Sequence, residues 1–304
     1  MFDLVRTLDC AGRELRLDRA RIAGIVNVTS DSFSGDGRML ADAAIARGLE
    51  LAEQGADLLD VGGESTRPGA APVSAEDEIV RVVPVIQALA ERTALPISID
   101  TSKPEVMRAA VAAGAGMIND VYALRREGAL DAAAASKVPV VLMHMLGEPR
   151  TMQDAPHYDD VVSDVRRFLA ERIFACEMAG IDKKRILADP GFGFGKTLEH
   201  NLVLLANLDQ LAALGVPLMA GLSRKAMIGT LTGRENRTNS GADRAAGSAA
   251  AAMIAVQKGA AIVRVHDVAA TRDALAVWEG MARGIKPVKK EAKPFGSQRF
   301  GDDD

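Results

Sequence analysis

Residues 186–197 read ILADPGFGFGKT, a short apolar run ending in Asp189, then three glycines alternating with two phenylalanines before Lys196 and Thr197. A Walker-type phosphate loop needs four residues between its first glycine and a closing Gly-Lys-Ser/Thr. Gly191 and Gly195 are separated by three, so the nucleotide-loop reading fails by one residue. What remains is a strand that ends in an acid and opens into a tight loop. That reading decides the fold if the same grammar recurs.

It does recur. Apolar runs at 22–26, 58–61, 97–99, 116–118, 138–142, 186–188, 216–220 and 261–265 are separated by alanine- and leucine-rich stretches with charges at helical spacing, such as 41–54, 76–92, 160–178 and 242–258. The runs show little polar alternation, which suits parallel strands buried on both faces. Several intervening stretches end in glycine, within EQGAD, AAGAG, EMAGI, AALGV and QKGAA, where a helix stops before the next strand. Repeated βα units predict an α/β fold, a TIM (β/α)8 barrel, and their unequal spacing excludes a regular solenoid. No linker or composition break divides 21–284, so a single domain is expected there. Residues 1–20 are expected to form a short leading hairpin at the bottom of the barrel. Residues 285–304 mix Lys, Pro and Gly and end in an aspartate run, as a mobile, disordered tail does.

Of 304 residues, 48% are hydrophobic, enough to bury a large core. The formal charge of −4 gives no concentrated basic surface for nucleic acid or an anionic membrane, so neither is expected as a partner. Cys10 and Cys176 lie far apart and outside any C-x-x-C pair, as in a reduced protein. The start MFDLVRTLDC lacks the regions of a secretory signal, and no apolar run reaches the roughly 18 residues of a membrane helix. A soluble, cytoplasmic protein is expected.

In a parallel barrel the chemistry sits at the C-terminal strand ends, and nearly every apolar run leads into a polar or ionisable group. In order these are Asn27, the segment GGESTRPGA at 62–70, Asp100, Asn119 with Asp120, Met143 with His144, Asp189, GLSRK at 221–225, and Arg264 with His266. Any one Asp or Asn there is equally well a helix cap. Capping does not account for so many at one mouth. Asp100, Asn119 and Asp189 offer carboxylate and amide groups for the donor edge of a flat nitrogen heterocycle. Lys225, Arg67, Arg264 and His266 offer cationic donors for a phosphate or pyrophosphate. The two loops after the first strands are rich in Gly, Ser, Asp and Pro and suit segments that close over a ligand. One of them carries Phe33, a large apolar residue among polar ones.

Eight segments in order, NVTSDSFS, GGESTRPGA, ISIDTSKPEV, MINDV, VLMHM, DPGFGFGK, GLSRKAMIG and IVRVHDV, resemble the bacterial dihydropteroate synthases across about 22–283. The family is a TIM barrel, usually a homodimer. It joins 6-hydroxymethyl-7,8-dihydropterin pyrophosphate to p-aminobenzoate, giving 7,8-dihydropteroate and pyrophosphate for folate synthesis by an SN1-like route. The resemblance implies that Asp100, Asn119, Asp189 and Lys225 hold the pterin, with Met143 and Phe194 against its ring. It implies that Asn27, Arg264 and His266 hold the pyrophosphate, Asn27 as a ligand of Mg²⁺. Thr66, Arg67 and Pro68, with Phe33, would help form the p-aminobenzoate site where sulfonamides compete, and Ser223 and Arg224 match the family's Ser-Arg-Lys strand end. Asp100, Asp189, Lys225, Arg264 and His266 form the implied catalytic set.

The chain departs from the family pattern at Ser30, at SGDG, which displaces Asp36 by one, and at Ala226, where a serine hydroxyl commonly meets the p-aminobenzoate carboxylate. Affinity for p-aminobenzoate is expected to survive on backbone N–H groups of the following helix. The rival enzyme of this class is a pterin-binding methyltransferase of the methyltetrahydrofolate/corrinoid type, which has no use for a pyrophosphate cluster. A catalytically silent pterin-binding barrel is the rival outside enzymes. His200 is expected to be a surface or helix-capping residue, His157 to lie in a loop, His144 to stand behind the pterin, and Trp278 to pack in the core or a dimer interface. Phe192 is expected to point inward, the loop glycines to let backbone pass close to a flat ring, and Lys196 to be the weakest functional candidate of its stretch.

Overall fold

The computed structural model describes residues 6–28, 37–65, 71–149, 151–234 and 241–283. Phe33, Asp36, Thr66, Arg67, Pro68 and the tail expected at 285–304 lie outside them. An antiparallel pair, β1 (Thr7–Cys10) and β2 (Arg13–Arg16), leads the chain. Eight parallel strands follow: β3 (Arg21–Asn27), β4 (Leu58–Gly62), β5 (Ile97–Asp100), β6 (Met117–Asp120), β7 (Val140–Met143), β8 (Ile186–Asp189), β9 (Leu218–Ala220) and β10 (Ala260–Val265). They neighbour one another in chain order, and β10 closes on β3. Around them run α1 (Gly37–Glu53), α2 (Ala75–Arg92), α3 (Pro104–Ala112), α4 (Ala129–Ser136), α5 (Val161–Met178), α6 (Leu198–Ala206), α7 (Ala226–Thr232), α8 (Ala245–Gln257) and α9 (Val268–Arg283). This is the TIM barrel expected from the repeat.

The local causes are plain. Every residue of β4, β6, β7 and β8 is buried, because one face meets the barrel interior and the other the helices. Helix α2 buries Val82, Val85, Ile86 and Leu89 at helical spacing. Its N-cap, Ser74, accepts from the Asp77 backbone N–H at 3.0 Å. The strands overrun several apolar runs into the polar residues beyond them. Asn27, Asp100, Asn119, Asp120 and Asp189 are therefore strand residues, and the N-cap positions of α3, α4 and α6 fall on Lys103, Gly128 and Thr197. Asp120 caps the turn after β6, accepting from the Tyr122 and Leu124 N–H groups at 2.8 and 2.7 Å, but helix capping does not explain Asp100 or Asp189.

One end of the barrel is plugged. Leu8, Cys10 and Leu15 of the leading pair pack on Ala23, Leu58, Met117, Val141, Leu187, Met219 and Ile262 from the barrel strands. The approach is close enough that a Cβ at Gly116 would stand 2.3 Å from the Cys10 carbonyl oxygen. Asp57 ties this end further, accepting from Arg19, Arg21 and Arg272 and from the Ile22 backbone N–H. The polar strand ends gather at the opposite end.

Candidate active site

Strand register sets the rows of the mouth. Asn27, Gly62, Asp100 and Asn119 stand side by side on β3 to β6, and Met143 stands beside Asp189 on β7 and β8. Asp60 lies two residues deeper on β4 and is 1% exposed. Arg264 reaches over from β10: its Nε donates to Asp60 Oδ2, and its Nη2 donates to Asp100 Oδ2 at 2.6 Å. Asn119 Nδ2 donates to the same Asp60 oxygen at 3.2 Å. Asp60 Oδ1 is buried with no hydrogen-bond partner among the described residues.

Three carboxylates, Asp60, Asp100 and Asp189, thus face two cations, Arg264 and Lys225. Burial pushes the Asp100 carboxyl up, opposed by Arg264. Burial also raises Asp189, opposed by Lys225 and by the Gly191 N–H, which donates to Asp189 Oδ1 at 2.7 Å. Lys225 is pulled down by burial to about 8, with Asp189 working the other way. At Arg264 burial works against the charge, but Asp60 and Asp100 outweigh it and raise its pKa. Buried carboxylates left short of donors favour a ligand that brings N–H groups or positive charge.

The loop after β8 forms the wall beside Asp189. Gly191, Gly193 and Gly195 have φ of +68°, +78° and +63°, a region that costs glycine little and other residues more. A Cβ at Gly191 would lie 1.8 Å from the His144 carbonyl oxygen, and one at Gly195 would lie 2.6 Å from that of Leu146. These two glycines therefore clear the backbone after β7, which corrects the expectation that they clear a ligand ring. Gly191→Ala is predicted to destabilise the fold by roughly 3 kcal/mol or more, from strained φ and steric overlap together. A denaturation midpoint equal to the parent's would contradict this. Phe192 is fully buried, as expected. Phe194 packs with Met143, Val121, Met145 and Met152, and Lys225 Nζ lies 4.6 Å from its ring centroid while donating to the Phe192 carbonyl.

After the neighbouring strands β9 and β10, Ser223 Oγ accepts from the His266 backbone N–H at 3.1 Å and lies 3.1 Å from His266 Nδ1. The His266 carbonyl accepts from Arg47 Nη2 at 2.7 Å. Asn27 is exposed at the end of β3. Arg224, at φ +58°, binds Asp267 through two nitrogens at 2.9 and 2.6 Å. Its guanidinium is thus committed to the rim, a contact that the sequence does not announce.

Outside the mouth, His200 and Thr197 cap α6 reciprocally as expected, each backbone N–H donating to the other's side chain at 3.2 and 3.3 Å. His157 is exposed in its loop, and Trp278 packs against the core. The sequence reading missed Asp60. Its signal was an acid inside an apolar strand run, since a buried charge is rarely left without partners. It also missed Lys103, which binds Glu64 at 2.6 Å and the fully buried Glu78. The Glu64 carboxylate accepts from the Val73 N–H at 3.1 Å, so this knot joins both stems of the loop after β4.

A family profile described as "Pterin binding enzyme" matches residues 23–266. The dihydropteroate synthase of Escherichia coli (strain K12) is 51% identical over 271 residues, covering 88% of this chain and 94% of the relative. A structure of Xanthomonas albilineans dihydropteroate synthase with 4-aminobenzoic acid is 64% identical with a TM-score of 0.86, covering 91% of this chain and 98% of that one. The same enzyme in complex with 7,8-dihydropteroate is 62% identical with a TM-score of 0.83, at the same coverage. Yersinia pestis dihydropteroate synthase in a sulfonamide drug complex is 46% identical with a TM-score of 0.86, covering 91% of this chain and 99% of that one. With the barrel, the acid-rich mouth and these likenesses together, the chain belongs to the dihydropteroate synthase family of pterin-binding enzymes.

Proposed function

We propose that this chain works as a dihydropteroate synthase, condensing 6-hydroxymethyl-7,8-dihydropterin pyrophosphate with p-aminobenzoate to give 7,8-dihydropteroate and pyrophosphate. The observation that carries the reading is the excess of buried carboxylate over cation around Asp60, Asp100, Asn119 and Asp189. A pterin brings a flat edge of ring N–H and amino donors, which such carboxylates accept strongly. In this reading Asp100, Asn119 and Asp189 take that edge, Lys225 donates to a ring acceptor, and Met143 and Phe194 cover the ring.

The same charge balance suits the chemistry. When the C–O bond to pyrophosphate ionises, the pterin ring spreads the positive charge of the methylene, and Asp60, Asp100 and Asp189 stabilise it. Arg264 uses two of its five N–H donors on Asp60 and Asp100, and the others are assigned to the departing pyrophosphate with His266, whose ring Ser223 orients. The neutral amine of p-aminobenzoate then attacks the methylene and releases a proton, so no strong base is needed. Thr66, Arg67, Pro68 and Phe33 are proposed for the p-aminobenzoate side, with Ser223 and Arg224 at its rim, and sulfonamides are expected to compete there.

Mg²⁺ is the proposed metal. No three His, Cys, Asp or Glu converge on a metal site among the described residues, and Asn27 offers one exposed amide oxygen. Mg²⁺ takes few protein oxygens and fills the rest of its shell from phosphate and water, so this donor set fits it in company with the pyrophosphate. When bound, it would neutralise charge on the leaving group. A homodimer is also proposed, supported by exposed Leu202 and Val203 on α6, Leu231 on α7 and Ile254 on α8. No described helix is long and apolar enough to cross a membrane, and a cytoplasmic location is proposed with the folate role.

The test is pyrophosphate release that requires both substrates and Mg²⁺. Intact pterin binding without release would favour a silent barrel, and methyl transfer to a corrinoid protein would favour the methyltransferase. The pH profile gives a second check. Lys225 carries its proton below about 8 and loses it above, so kcat/KM for the pterin substrate should fall as pH rises through that value. Lys225→Arg should move that limb upward, because a guanidinium keeps its proton there. A limb unmoved by the substitution would remove Lys225 from its role.

A further inference from the structure

We propose that Lys196 is a positioning residue for the pterin, fixing from beneath the loop wall that carries Phe194 and the backbone contact of Lys225. The inference rests on the pterin reading above. Its starting point is the hydrogen bonding of five consecutive carbonyls, 191 to 195. Lys196 Nζ donates to Gly191 O at 2.9 Å and to Phe194 O at 3.1 Å, and Lys225 Nζ donates to Phe192 O. Gln153 Nε2 donates to Gly193 O at 2.6 Å and Tyr158 Oη to Gly195 O at 2.7 Å. The Gly193 N–H in turn donates to Asn201 Oδ1 at 2.7 Å. Within the loop the Phe194 N–H also donates to Gly191 O at 3.1 Å, and side chains satisfy the other carbonyls and thereby help set its shape.

Lys196 is the centre of this arrangement, since it serves two of the carbonyls and lies 3% exposed. Its third neighbour is His144 Nδ1, at 2.9 Å. An ammonium has three N–H donors and no acceptor, and three acceptors surround this one. Burial and then the nearby Lys225 lower its pKa, opposed by Asp189, and the three acceptors favour its protonated form. Burial likewise drives His144 down to about 2, which keeps the ring neutral and able to accept. His144 is in turn held edge-on to Phe168 of α5, with ring centroids 4.9 Å apart. A chain of defined contacts therefore runs from α5 through His144 and Lys196 to the wall bearing Phe194. The lysine that resembled a phosphate ligand in the sequence is buried behind that wall.

The test uses Lys196→Met, with Gln153→Ala and Tyr158→Phe as milder probes of the same loop. Wild-type enzyme must first release pyrophosphate in a reaction that needs both substrates; failure there overturns the proposed function and not this inference. Folded Lys196→Met should show its KM for dihydropterin pyrophosphate, and its calorimetric Kd for 6-hydroxymethylpterin, raised roughly tenfold to a hundredfold. Its KM for p-aminobenzoate should move by less than about threefold. Gln153→Ala and Tyr158→Phe, each removing one carbonyl's donor, should raise the pterin KM roughly threefold to tenfold, and they decide the matter if Lys196→Met does not fold. Unchanged pterin constants in the folded variants, or an equal loss for both substrates, would overturn the proposal.

Discussion

Asp189→Ala should lower kcat/KM for dihydropterin pyrophosphate by roughly two orders of magnitude or more, equivalent to about 3 kcal/mol of transition-state binding. The size follows from the setting. Asp189 is 4% exposed, at the end of β8, and it faces the same interior as Asp100 and Arg264. A donor edge bound to it has no water to turn to when the carboxylate goes. The fold should suffer less than the activity, because burial already disfavours this carboxylate, and its removal leaves one unsatisfied donor, the Gly191 N–H. Asp189→Asn keeps an acceptor for that N–H while losing the charge, so it should fall between. Asp189→Ala with kcat/KM within about threefold of the parent would show that the pterin edge is held elsewhere.

Arg264→Met should damage stability as well as activity. The guanidinium stands between Asp60 and Asp100, which are 1% and 16% exposed at the side chain. Taking away the shared cation leaves two carboxylates buried together, a change that costs about 3 kcal/mol or more. The sign of the pH dependence is set by Asp100, whose carboxyl burial raises and Arg264 lowers. Without Arg264 the Asp100 carboxyl, already raised by burial, rises further above its unfolded value, so the folded state holds a proton that the unfolded state releases. The penalty is absent below the unfolded pKa of about 4 and grows as pH rises toward the raised folded value of Asp100. Denaturant midpoints of variant and parent should therefore differ more at pH 8 than at pH 5. A deficit of the same size at both would mean that the loss comes from packing and not from the unpaired acids.

The barrel was legible because parallel strands buried on both faces leave runs of apolar residues, and glycines mark where the helices stop. Strand ends were less so. Asp100 and Asp189 read as residues after the strands, yet each is paired into the ladder, since an acid at a barrel mouth keeps its backbone bonds while its side chain faces inward. Contacts that join distant parts of the chain had no signature in spacing. Arg264 read as a phosphate ligand, and nothing in RVHD announces its bonds to Asp60 and Asp100, 204 and 164 residues away. The glycines of 191–195 were rightly seen as a need for close approach. Their neighbour, the backbone at His144 and Leu146, becomes visible only once β7 and β8 stand side by side.

The central claim is that the acid-rich mouth grips a pterin edge and holds pyrophosphate on its cationic side. A crystal structure of the chain with 6-hydroxymethylpterin and pyrophosphate tests it directly. Ring nitrogens are expected within about 3 Å of Asp189 and Asn119, with the ring against Phe194 and Met143 and the anion at Arg264 and His266. A pterin bound away from β5, β6 and β8, with Asp189 facing only protein, would contradict it.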